Sequence, residues 1–162
     1  MVLIQPYEKG LEVKKFICFV GLLLLMGCAA PKYSGTSIES KHQEEIVIIH
    51  DEKTREIFQE SMEDWLIEHK YKYVVVPEDS KHDLQKLTLE YVGYWGWDLS
   101  MYLKQAYIKA FHEGQRVAKV EFKAPDSLNP NKWGDDSKRI GYMMDVLFGE
   151  ISPTEANQNI NK

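Results

Sequence analysis

Few residues in this chain are placed to do chemistry, and their spacing limits what that chemistry is. Five histidines (His42, His50, His69, His82 and His112) are scattered through 162 residues, with no His-x-His or His-Glu-x-x-His spacing. No metal-binding motif is therefore expected. His-Asp pairs occur at His50–Asp51 and His82–Asp83. Adjacent residues on a strand point to opposite faces, so turn or cap roles suit them better than a shared site. There is no Gly-x-Ser-x-Gly elbow and no glycine loop to cradle phosphate. Glu60, Glu63 and Asp64 lie off the apolar stripe of their segment and read as a solvated helix face. The two cysteines, Cys18 and Cys28, sit in or beside a single apolar run. That excludes a disulfide framework and leaves no thiol elsewhere for zinc or nucleophilic attack. The expectation is a protein that is not an enzyme, with no catalytic residues, no metal and no cofactor.

One stretch stands apart, "YVGYWGWD" at Tyr91–Asp98. On a strand, Tyr91, Trp95 and Trp97 share one parity and Tyr94 takes the other. Gly93 and Gly96 leave gaps for rings to pack into, or permit a bulge. Two readings stand side by side. Tyr94, Trp95, Trp97 and Asp98 form an exposed aromatic platform for a partner, a peptide or a glycan; or the rings fill the core of a small domain, which needs all the apolar area it has. A rival functional reading is a small envelope hydrolase using Asp98 with a histidine such as His112.

The elements that must position these residues follow from periodicity. Glu44–His50 is a β-branched run of strand length. Ile57, Phe58, Met62, Trp65 and Leu66 recur at helical spacing, with Asp51 as a plausible N-cap. Tyr71–Val76 is a second strand, stopped by Pro77. Strands follow around Leu87–Asp98 and Leu99–Ala110, although the latter also fits a helical spacing. The "HEGQ" turn at His112–Gln115 favours a hairpin into Arg116–Phe122. A second helix starts near Asp135–Ser137, buries Ile140, Met143, Met144, Leu147 and Phe148, and stops at Gly149. The predicted fold class is α/β: a two-layer sandwich with a mixed, mostly antiparallel sheet of about five strands, in the order β-α-β-β-β-β-α. Two helices lie on one face.

The amino-terminal run "KKFICFVGLLLLMGCAAPKYSG", Lys14–Gly35, decides where the domain resides. Its apolar part, Phe16–Met26, falls well short of the roughly 20 residues a spanning helix needs. Two lysines before it and small residues after it describe a secretory signal peptide. If translation starts at Val13 rather than Met1, the signal has a more ordinary basic lead. "LMGC", Leu25–Cys28, resembles the lipobox of bacterial lipoproteins, with Met26 departing from the small residue usual there. The resemblance implies cleavage before Cys28, lipidation on its sulfur and acylation of the new terminus, palmitate among the chains. Ala29, where aspartate would imply inner-membrane retention, implies the outer membrane. Several acyl chains anchor firmly where one holds marginally.

The expected organisation is a signal peptide over 1–27, a lipidated flexible tether over 28–43, one α/β domain over 44–151 and a disordered tail over 152–162. The tether would let the domain stand tens of Å from the membrane. The whole chain carries a formal charge of −5. Removing 1–27 takes away Lys9, Lys14 and Lys15 against Glu8 and Glu12, leaving −6. An acidic domain has no electrostatic basis for binding nucleic acid.

The motifs "WGWDLSMYL", "KWG" and "RIGYMMDVLFG" resemble a family of small, uncharacterised lipoproteins of Gram-negative bacteria, over most of 46–150. That family carries no established activity across. The element order is also similar to envelope lipoproteins that activate cell-wall synthases by contact, a likeness of fold alone. The expectation is a lipid-anchored, periplasm-facing outer-membrane lipoprotein. It binds the membrane through Cys28 and serves as a binding or accessory module for an envelope protein or cell-wall component.

Overall fold

The computed structural model describes residues 32–39, 45–125 and 130–160. The signal peptide, Cys28 and the choice between Met1 and Val13 lie outside the described residues.

Six strands form one mixed sheet, in the order β1-β6-β5-β4-β2-β3. They are β1 (Tyr33–Thr36), β2 (Ile46–Ile49), β3 (Tyr73–Val76), β4 (Thr88–Asp98), β5 (Ser100–His112) and β6 (Gln115–Lys123). Three helices accompany them: α1 (Glu56–Glu68), α2 (Asp136–Leu147) and α3 (Pro153–Asn159). The α/β sandwich with a mixed sheet is as expected, with one more strand and one more helix. β2 pairs in parallel with both β3 and β4, and β4, β5 and β6 form the antiparallel meander. Leu99–Ala110, which fits two periodicities, is strand.

Register explains why the sheet has one apolar face. Gly93, Ala106, Phe122 and Tyr33 form one row across four strands, and Tyr91, Ile108, Val120 and Gly35 form the next. Apart from the exposed Gly35, these rows enter the core with Leu89, Ala110 and Ala118. Phe58, Met62, Trp65 and Leu66 of α1 and Ile140, Met143, Met144 and Leu147 of α2 enter it from the helix layer. The two stripes at helical spacing are thus the second layer that the sheet needs to stay dry. Among the described residues no helix is long and apolar enough to cross a membrane.

Three expectations are corrected. The presumed tether contains β1, which closes the meander edge with Tyr33 buried against Phe122. The presumed disordered tail contains α3, started by a capping box between Ser152 and Glu155 with Pro153 in the first turn. These two segments hold each other: the Asn157 side-chain oxygen accepts from the amides of Lys32 (2.7 Å) and Tyr33 (2.9 Å), and its amide donates to the Tyr33 carbonyl (2.9 Å). Asp51, finally, does not cap α1, whose N-cap is Arg55 with no side-chain bond. Asp51 instead closes the preceding turn, accepting from the Lys53 amide and the Thr54 hydroxyl. Asp135 does cap α2, accepting from the Lys138 amide.

Candidate functional site

The aromatic stretch lies on β4 where it runs into the β4–β5 hairpin, and the structure divides its residues among three environments. The register slips between Tyr94–Gln105 and Trp95–Leu103, leaving Lys104 unpaired as a bulge on β5. Such a bulge strengthens local twist and re-aims the strands beyond it.

Trp95 turns inward. Its ring meets Phe58 edge-on at 6.4 Å and lies over Gly93, where a Cβ would stand 2.5 Å from it. Its indole N–H donates to Asp136 at 2.9 Å. Asp136 also accepts from the Leu103 amide (3.1 Å) and from the buried Arg139 guanidinium (3.2 Å). One carboxylate at the start of α2 therefore fastens the base of the hairpin. That position also suits a negative charge, because the helix N-terminus is positive. Tyr102 likewise lies over Gly96, whose added Cβ would stand 2.9 Å from the ring. Both glycines are gaps for rings.

Tyr94 points the other way, 53% exposed, and meets Tyr107 edge-on at 6.4 Å. It belongs to the face opposite the helices, in the rows Tyr94–Gln105–Lys123, Val92–Tyr107–Glu121–Ser34 and Glu90–Lys109–Lys119–Thr36. The side chains here are tied to one another: Gln105 donates to Glu121 at 3.1 Å, and the Lys119 ammonium sits 4.5 Å over the Tyr107 ring. At its far end this face is covered by the segment after β3. There His82 bonds Glu90 at 2.7 Å and packs on Phe111. Towards the hairpin it stays partly exposed, and at the β1–β6 edge it runs into a shallow cleft lined by Ser34, Thr36, Arg116 and Lys119.

Trp97 is 74% exposed near the end of the hairpin. Asp98 beside it is held by Lys132, whose side chain is buried, and its carbonyl accepts from the Trp133 indole at 2.7 Å. The conjunction of the "WGWD" and "KWG" motifs is thus a contact in space. Periodicity alone missed Lys132 and Asp136 because they approach from distant sequence.

The proposed Asp98–His112 pairing does not form. Ser100, opposite Asp98, and His112 mark the two ends of β5, about 40 Å apart at the rise of an extended strand. The other histidines among the described residues serve local structure. His50 bonds Gln59 at 2.6 Å, and Gln59 also accepts from the Tyr91 hydroxyl. Burial raises the Tyr91 pKa, and the hydrogen bond to Glu63 raises that of Tyr73. This polar chain pins α1 to the ends of β2, β3 and β4. Among the described residues, no group of three His, Cys, Asp or Glu is placed to hold a metal ion.

No protein-family model matches the chain, and no curated protein is significantly similar to it. Among solved structures, it is similar to a minor lipoprotein from Acinetobacter baumannii, known from a 2.35 Å crystal structure. The TM-score is 0.31 at 6% identity, over 75% of this chain and 92% of that one, a likeness too low to carry an argument.

Proposed function

We propose that this chain is a lipid-anchored lipoprotein of a Gram-negative envelope, held in the outer membrane by acyl chains on Cys28 and facing the periplasm. There it acts as a binding or accessory module for an envelope protein or a cell-wall component. The anchor is supported by the sequence from Lys14 to Cys28, with its basic lead, short apolar run and "LMGC" exit. Binding is supported by one observation above all. The sheet face bearing Tyr94, Tyr107, Gln105 and Glu121 remains partly exposed while the helices are all spent on the other face. Tyrosines combine a rigid apolar ring with a polar tip and suit contact surfaces for that reason.

Two measurements test this reading. Intact mass of the mature protein should show an acylated amino-terminal Cys28, and Cys28→Ala should abolish incorporation of labelled fatty acid. A photo-crosslinking residue at position 107 in living cells should capture a discrete envelope partner, whereas one at Glu60 on the solvated helix face should not. Equal capture at both positions, or at neither, contradicts the binding role.

A further inference from the structure

The core-facing side of the β4–β5 hairpin stays apolar beyond the point where helices cover it. Tyr91 and Trp95 pack on Phe58. The same side continues with Trp97 opposite Met101 and ends on Leu99 at the apex. Trp97, Met101 and Leu99 are 74%, 50% and 81% exposed. Leu99 also has φ of 60°, a conformation disfavoured for a branched side chain. Strain and apolar exposure at one apex point to a contact made there.

Three observations say what that contact is. Register comes first. Tyr33 lies opposite Phe122, Phe122 opposite Ala106, and Ala106 opposite Gly93. The chain therefore enters the domain at the same end of the sheet as the hairpin tip. Reach comes second. The sheet ladder already includes Lys32, whose carbonyl accepts from the Lys123 amide at 2.8 Å. Cys28 lies only four positions before Lys32, a span of at most about 14 Å. From Lys104, at nearly the same level, the hairpin projects five residues to Leu99, about 17 Å. The two lengths are similar, so a membrane that holds an acylated Cys28 lies within reach of the hairpin apex. Charge comes third. Lys104 and Lys123 are exposed at this end with Lys32 beside them, and Arg55 lies against Trp95 and Met101. Cations flanking tryptophan and leucine match anionic headgroups above an acyl layer.

We propose that the tip of the β4–β5 hairpin, Trp97, Leu99 and Met101, inserts into the interfacial layer of the lipid bilayer that carries the acyl anchor. The tip is a second membrane contact that fixes how the domain stands. The reach argument rests on the reading of Cys28 as the anchor. With β1 starting at Tyr33, only five positions after Cys28, the domain is held close to the membrane, and its open sheet face is presented at a set orientation.

The test uses the full chain expressed in Gram-negative cells and reconstituted into phosphatidylethanolamine and phosphatidylglycerol vesicles, with plain or brominated acyl chains. Brominated lipid should quench the tryptophan emission. With Trp133, the other indole beside the tip, replaced by phenylalanine in both proteins, Trp97→Phe should lose most of that quenching, because Trp65 and Trp95 are packed against other rings. No quenching, or equal quenching in both proteins, overturns the proposal. So does a benzophenone at position 99 that captures an envelope protein rather than phospholipid in cells. Intact mass of the same preparation separates the two claims. An unacylated Cys28 refutes the anchor, while the quenching still decides the tip.

Discussion

At one end of β5 the chain reverses through Glu113 and Gly114, and at the other through Leu99. Glu113 and Gly114 both have positive φ, 53° and 74°, as a two-residue hairpin of the I′ kind requires. The side chains around that turn are polar, and glycine takes the second left-handed position at no steric cost. At the other end the left-handed residue is a leucine, flanked by Trp97 and Met101 rather than by polar residues. Both turns serve the same sheet, so folding alone does not account for the second. The difference separates a turn that closes a ladder from one that presents side chains.

Five substitutions test that contrast. The largest effect belongs to the base of the tip. Asp136→Ala leaves the Trp95 indole, the Leu103 amide and the Arg139 guanidinium without this shared acceptor, and should cost about 3 kcal/mol in urea denaturation. A loss under about 1 kcal/mol would show that the hairpin is held by something else. Next is Asn157→Ala, which unpins the β1 edge of the sheet at Lys32 and Tyr33. A cost of about 2 kcal/mol is expected. Amide exchange along β1 should accelerate while β4 and β5 stay protected.

The turns themselves should respond with opposite signs. Gly114→Ala forces a Cβ into a left-handed conformation and within 3.3 Å of Leu84, destabilising by about 1 kcal/mol. Leu99→Gly relieves the same strain and should stabilise by up to about 1 kcal/mol, while weakening the membrane contact. Two losses of stability would mean that Leu99 packs for the fold. Smallest is Trp97→Ser, which should change stability by no more than about 0.5 kcal/mol because the ring is mostly exposed. A larger loss would move Trp97 into the core.

Much of the architecture was legible because it is written locally. The stripe from Phe58 to Leu66, the Asp135 cap and the Gly114 turn each follow from a few neighbouring residues. β1 was not. Tyr33–Thr36 is four residues without alternation, and it becomes a strand through Phe122 and Asn157, both far away in sequence. α3 did carry a signal, since Ser152, Pro153 and Glu155 spell a capped start. Its polar composition hid it, because Ala156 is its only buried residue. In the candidate site the aromatic stretch was visible, but its division was not. Whether Trp95 or Trp97 enters the core depends on how far α1 covers the strand and on Asp136, 41 residues beyond Trp95. The pairing of Asp98 with Lys132, 34 residues on, is equally nonlocal.

The contrast between the two turns can be read directly with a nitroxide placed on each. The sequence holds only two cysteines, Cys18 and Cys28; on the proposed reading the first leaves with the signal and the second is acylated, so an introduced thiol is the only free one. Leu99→Cys and Glu113→Cys would be labelled separately in vesicles and their collisions with oxygen and with a water-soluble nickel complex compared. The label at 99 should meet oxygen in preference to nickel, and the label at 113 should do the reverse. Equal exposure to water at both positions would contradict a membrane contact at the tip.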